Sequence, residues 1–69
     1  MKLSARNSLK GKITAIKKGA VRAQITVAIG GGNHVTSAIF VDSVEDLKLK
    51  VGDSVFAVIK STDVMIATP

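Results

Sequence analysis

Between Ala20 and Ile29 every second residue is apolar. Val21, Ala23, Ile25, Val27 and Ile29 share one face, and Arg22, Gln24 and Thr26 share the other with Ala28. Side chains alternate across a strand with a period of two, so this run reads as a half-buried strand and not as an amphipathic helix. A shorter strand precedes it at Lys12-Ile13-Thr14-Ala15-Ile16, with Ile13 and Ile16 apolar, and a turn at Lys18-Gly19 ends it. Gly30-Gly31-Gly32-Asn33 breaks the alternation, because Gly and Asn tolerate positive φ. From His34 to Val41 the pattern resumes, Val35, Ile39 and Val41 alternating against Thr36 and Phe40. The second and third strands are therefore expected to form a hairpin.

Downstream, Asp42-Ser43-Val44-Glu45-Asp46-Leu47 changes character. Asp42 or Ser43 can cap a helix, Glu45 or Asp46 suits its first turn, and Val44 and Leu47 fall on one side of it. The turn signal Val51-Gly52-Asp53 stops the helix. Ser54-Val55-Phe56-Ala57-Val58-Ile59 reads as a fourth strand and Val64-Met65-Ile66-Ala67 as a fifth, joined by the polar link Lys60-Ser61-Thr62-Asp63. This order predicts an all-β fold, a five-stranded OB-like Greek-key barrel with a short helix between strands 3 and 4. One domain over residues 1–69 accounts for the whole chain.

Size then constrains how such a barrel is stabilised. A chain of 69 residues buries only about 60% of the surface its unfolded form exposes, so its core needs support. Cysteine is absent, which excludes disulfides, thiolate catalysis and Cys-type zinc sites. The one histidine, His34, cannot build a metal site alone. Yet 46% of the residues are hydrophobic, which argues against disorder. The fourth strand carries apolar residues on both faces, and in so small a chain the second face points to a subunit interface. Self-association is the expected staple.

Ten Lys and Arg against five Asp and Glu give a net charge of +5, which favours an anionic partner. An OB-type nucleic-acid-binding module is one alternative. Phe40 and Phe56 are the only aromatic residues, however, and single-stranded nucleic acid binders stack bases on aromatic platforms. The basic residues are dispersed, the densest groups being Lys17-Lys18 and Lys48/Lys50. The N-terminus lacks the apolar stretch of a signal peptide, and no apolar run approaches membrane-spanning length. A cytoplasmic protein with no membrane partner is expected.

Little in the chain suits an enzyme. A Ser–His–acid set would have to use His34, which follows a glycine turn. Asp42, Glu45 and Asp46 gather at a helix start, where they complement its dipole. No Gly-Lys-Ser/Thr follows Gly30-Gly31-Gly32, so that run reads as turn geometry and not as a phosphate loop. Anion recognition fits better, since a tetrahedral oxyanion needs charge-assisted donors converging from several directions. Ser4-Ala5-Arg6-Asn7 before the first strand and Lys60-Ser61-Thr62 after the fourth supply such donors. Ser43 adds a hydroxyl at the helix start.

The same segments carry a resemblance to a known family. Ser4-Ala5-Arg6-Asn7-Ser8-Leu9-Lys10-Gly11-Lys12-Ile13 resembles the opening of the molbindins, small molybdate-binding proteins built from the Mop or TOBE domain. Ile29-Gly30-Gly31-Gly32-Asn33 with Thr36-Ser37, Asp42 to Leu47, and the ending Val58-Ile59-Lys60-Ser61-Thr62-Asp63-Val64-Met65-Ile66 are similar to the family as well. The likeness runs the length of the chain and suggests the free-standing, single-domain form. It implies an OB-like barrel assembled as a hexamer, a trimer of dimers, that binds molybdate or tungstate between subunits for storage, transport or homeostasis; this chain's own residues, with few stacking groups and no thiol, lead us to expect no organic cofactor. Carried onto this chain, the site implied by the resemblance takes Ser4 and Arg6 from one subunit. The other subunit supplies Ser43, Lys60 and Ser61. A second kind of site near the threefold axis is also implied, with no residues assigned to it. Phe40 departs from the pattern, since several relatives carry Thr or Ser there. A pterin is associated with the family by name, but stacking residues here are few.

Overall fold

A computed structural model describes residues 6–69 of the chain. Four strands, β1 (Asn7–Lys18), β2 (Arg22–Gly30), β3 (Asn33–Phe40) and β4 (Ser54–Ile59), are joined by a short helix, α1 (Val41–Asp46), placed between β3 and β4. Every pairing is antiparallel and the sheet order is β3-β2-β1-β4. Three strands in series, with a fourth returning beside the first, make a Greek key. The sheet curls until its two edge strands, β3 and β4, line one largely apolar cavity of about 290 Å³. The result is the expected OB-like all-β fold, with its helix in the expected place.

The core is small and depends on a local irregularity in β1. Ile13 and Ile16 are three residues apart and would face opposite ways in a regular strand. The register shifts between Ile13 and Ala15, so that Ile13 lies across from Val27 and Ile16 across from Ile25. This bulge turns Thr14 outward, where its Oγ1 donates to the Thr26 carbonyl at 3.4 Å, and both isoleucines face the interior. Ile13 and Val44 are each 2% exposed and pack with Ala23, Ile25 and Val27. Ile16, Ile29, Ile39, Val41, Leu49 and Val55 surround them, partly buried. A Cβ at Gly11 would run into the Ala28 carbonyl oxygen and approach Val27 Cγ1 to 2.7 Å. Glycine there lets β1 pass close to β2 while it also pairs with β4.

At the β2–β3 hairpin, Gly31 and Gly32 adopt φ of 62° and 77°. A two-residue turn with both φ values positive matches the twist of the strands it joins. The helix differs from expectation at its start. Phe40 occupies the capping position with no side-chain hydrogen bond, and Asp42 and Ser43 already lie inside the helix. Val41 instead donates to the Val21 carbonyl at 2.8 Å, so backbone contact with the β1–β2 turn does the work of a cap. The helix also ends earlier than the Val51-Gly52-Asp53 signal suggests, the chain turning at Lys48 with φ of 52°. Asp53 serves the following turn, its Oδ2 accepting from the Lys50 amide at 2.9 Å.

Two expectations about apolar residues differ from the structure. Val21 sits in the β1–β2 turn and is exposed, because the alternation begins one residue before the ladder does. The fifth strand expected at Val64–Ala67 makes no ladder among the described residues. Met65 is 91% and Ile66 88% exposed, although Val64 keeps extended backbone angles. The segment has the residue pattern of a strand, and Val64 its backbone angles, but among the described residues no strand pairs with it.

Candidate functional site

Strand register decides which of the expected oxyanion donors meet. Ser4 lies outside the described residues. Arg6 is exposed and directly precedes β1. In the β1–β4 ladder Asn7 lies across from Ile59. One step further along each strand, Arg6 and Lys60 leave the ladder as neighbours. Ser61 follows in a 3-10 turn that is closed by the Asp63 amide donating to the Lys60 carbonyl at 2.9 Å. Lys60 and Ser61 are exposed. The opening and closing segments, far apart in the chain, thus leave the sheet side by side.

Ser43 belongs elsewhere. It is half-buried, the third residue of α1, and the helix follows directly on β3. Phe40 at the end of β3 lies across from Arg22, and β2 begins next to the point where β1 finishes, Lys18 facing Ala23. Ser43 therefore sits at the end of the sheet opposite Arg6 and Lys60. The sheet curls between these ends, however: Ile39, which lines the cleft beside Ser43, also lines the β3–β4 cavity with Ile59, the residue before Lys60.

The Ser43 end has a feature that the residue pattern did not reveal. Arg22 lies over the Phe40 ring, 5.6 Å from guanidinium carbon to ring centroid. These two residues, with Ser43, Ala38 and Ile39, line a cleft of about 290 Å³. Alternation assigned Arg22 to the outer face of its strand, but only the β2–β3 register puts it beside Phe40.

Other candidates take ordinary structural places. His34 is exposed on β3, across from Ala28, and Gly30–Gly32 belong to the hairpin. Among the described residues no group of three His, Cys, Asp or Glu side chains is placed to hold a metal ion. No helix among them is long and apolar enough to cross a membrane.

Comparison with known proteins supplies a context for this arrangement. The TOBE domain family matches residues 3–66. Molybdenum-pterin-binding protein 3 of Clostridium pasteurianum is 59% identical over 66 residues, which covers 96% of this chain and 97% of that protein. Among solved structures, MopII from Clostridium pasteurianum superposes with a TM-score of 0.91 at 54% identity, covering 97% of this chain and 100% of the other. A molybdate-binding protein from Sporomusa ovata gives a TM-score of 0.92 at 40% identity, over 99% of this chain and 100% of its own. The likeness therefore includes both ends of the sheet.

Proposed function

Because the chain belongs to the TOBE domain family, whose members here are binding proteins and not catalysts, we propose that it binds molybdate or tungstate at sites shared between copies of itself. It does so as an intracellular store or buffer of the oxyanion, in the cytoplasm. Relatives over almost the whole length are named for binding molybdenum-pterin or molybdate. The observation that carries the shared site is the placement of donors at opposite ends of one sheet. Arg6, Lys60 and Ser61, with Ser4 beside them in sequence, form one half. Ser43, on α1 after the end of β3, is the donor that we assign to a second copy. The register thus groups Lys60 and Ser61 with Arg6, whereas the resemblance groups them with Ser43.

Assembly has further support in the apolar surface that one chain leaves open. The β3–β4 seam and the exposed Val64, Met65 and Ile66 form a half-finished barrel and an unpaired segment of strand character. Exposed apolar area of this kind marks an association surface. A hexamer, a trimer of dimers, is the assembly we propose. An anion that binds only the assembled state stabilises it, so binding and association are coupled.

Selectivity follows from the chemistry of the donors. Molybdate, tungstate and sulfate are fully deprotonated dianions at neutral pH, whereas phosphate retains a proton that requires an acceptor. A site made of guanidinium, ammonium and hydroxyl donors suits the first group, and cavity size then separates molybdate from the smaller sulfate. Calorimetric titration with molybdate, with native mass spectrometry of the same sample, tests the proposal. Saturable binding in whole-number ratio to a hexamer is expected. Absence of heat at millimolar molybdate would overturn it.

A further inference from the structure

We infer that Asp63 limits how tightly the oxyanion is held, as a negative charge built into the same turn as two of its donors. The inference rests on the oxyanion site proposed above and adds to it a residue that neither the residue pattern nor the resemblance assigns. It holds whichever copy supplies Lys60 and Ser61, because Asp63 comes with them in one 3-10 turn. The Asp63 amide donates to the Lys60 carbonyl at 2.9 Å, and the Val64 amide to the Ser61 carbonyl at 3.4 Å. A turn closed from its fourth residue back to its first keeps the two Cα atoms within about 7 Å. The carboxylate is therefore carried by the donor segment itself, and Lys60, Ser61 and Asp63 are all exposed.

Chemistry fixes the sign of the effect. An ionised carboxylate has only acceptors, and so does a fully deprotonated dianion. No hydrogen bond can join the two, and only their repulsion remains. Arg6 and Lys60 together balance a dianion, and Asp63 leaves one negative charge in excess among these three side chains. The other carboxylates stand elsewhere. Asp53 lies directly before β4, its Oδ2 accepting from the Lys50 amide at 2.9 Å. Asp42, Glu45 and Asp46 belong to the helix segment that carries Ser43. They oppose the dianion in the same sense, from whichever copy supplies Ser43, and they stay in place in the test below. For a unit charge about 8 Å from a dianion, repulsion in water weakens binding about sixfold. Salt reduces this, since the Debye length is itself about 8 Å at physiological ionic strength. An effect of that size eases release without abolishing binding, which suits a reversible store.

Molybdate titration of the parent protein, Asp63→Asn, Asp63→Glu and Arg6→Ala tests this, at low salt and at about 1 M sodium chloride, with native mass spectrometry of each protein before ligand is added. Asp63→Asn is expected to bind about fourfold more tightly than the parent at low salt. The gain should shrink below twofold at high salt, where the Debye length is about 3 Å. Asp63→Glu keeps the charge and should stay within twofold of the parent, with the unliganded assembly unchanged in both variants. Asp63→Asn affinity below the parent's, or less than twofold above it at low salt, would overturn the role of Asp63; a clear loss in Arg6→Ala would then leave the site itself standing. A gain that Asp63→Glu matches, that high salt does not diminish, or that accompanies an altered unliganded assembly would also overturn it, since Asp63 would then act through the turn or through association. If the parent itself bound no molybdate, the site reading would fall and this inference with it.

Discussion

The two ends of the sheet are built on different principles. At the Arg6 end, backbone pairing does the arranging. Asn7 lies across from Ile59, and Arg6, Lys60 and Ser61 project beyond the last rung as exposed chain. At the Ser43 end, side-chain packing does it: Val44 anchors α1 in the core, and Arg22 rests on Phe40. The first, exposed chain beyond the last rung, is the loose end, and the second, tied to the core by Val44, is the firm end.

Removing the principal donor of the loose end should have the largest effect. Arg6→Ala is expected to weaken molybdate binding by about 2–3 kcal/mol, the loss typical of a hydrogen bond to a charged group. Titration calorimetry measures it, and unchanged affinity would remove Arg6 from the site. The same variant can test whether the two ends belong to different copies. Arg6→Ala and Ser43→Ala chains, unfolded and refolded together, should regain a minority of sites with parental affinity, in which an intact Arg6 meets an intact Ser43. If each site were confined to one chain, mixing would restore none.

The firm end should be sensitive to packing. Val44→Ala removes two methyl groups from a side chain that is 2% exposed. A stability loss of about 2 kcal/mol is expected from lost burial and the remaining cavity, read by thermal or denaturant unfolding. Because Val44 holds the helix that carries Ser43, molybdate affinity should fall too, while Arg6 and Lys60 stay neighbours through the β1–β4 ladder. A variant with lower stability and parental affinity would show that Ser43 needs no such anchoring.

Elements with strict periodicity could be read from the residues, and those that depend on a partner could not. The alternation of β2 predicted the burial of Ala23, Ile25 and Val27, since a period of two leaves no choice of face. Ile13 and Ile16 were recognisable as interior residues, but the bulge at Thr14 that lets both face inward required the register. Val64–Ala67 shows where pattern reading stops. It looks as much like a strand as β4 does, yet pairing depends on whether a neighbour exists, and alternation says nothing about which chain supplies one. For the candidate site, residue chemistry picked out the segments Ser4–Asn7 and Lys60–Thr62 with Ser43, and the resemblance named the residues within them. It could not show that Arg6 and Lys60 leave the sheet side by side, because that is a property of the ladder. The contact of Arg22 with Phe40 escaped notice for the same reason, since it is made across two strands.

Ser43→Ala is the smallest change and the most discriminating. Loss of one neutral hydroxyl should cost about 1 kcal/mol of binding, against the larger loss expected for Arg6→Ala. The two variants should also differ in how binding responds to salt. Screening acts on interactions between charges, so affinity that depends on Arg6 weakens as ionic strength rises. Arg6→Ala should flatten that dependence, whereas Ser43→Ala should lower affinity by the same factor at every salt concentration. Titrations at low and high sodium chloride would separate the two responses. If both variants changed the salt dependence alike, the firm end would not be contributing through a neutral hydroxyl, and the contrast between the ends would have to be redrawn around charge alone.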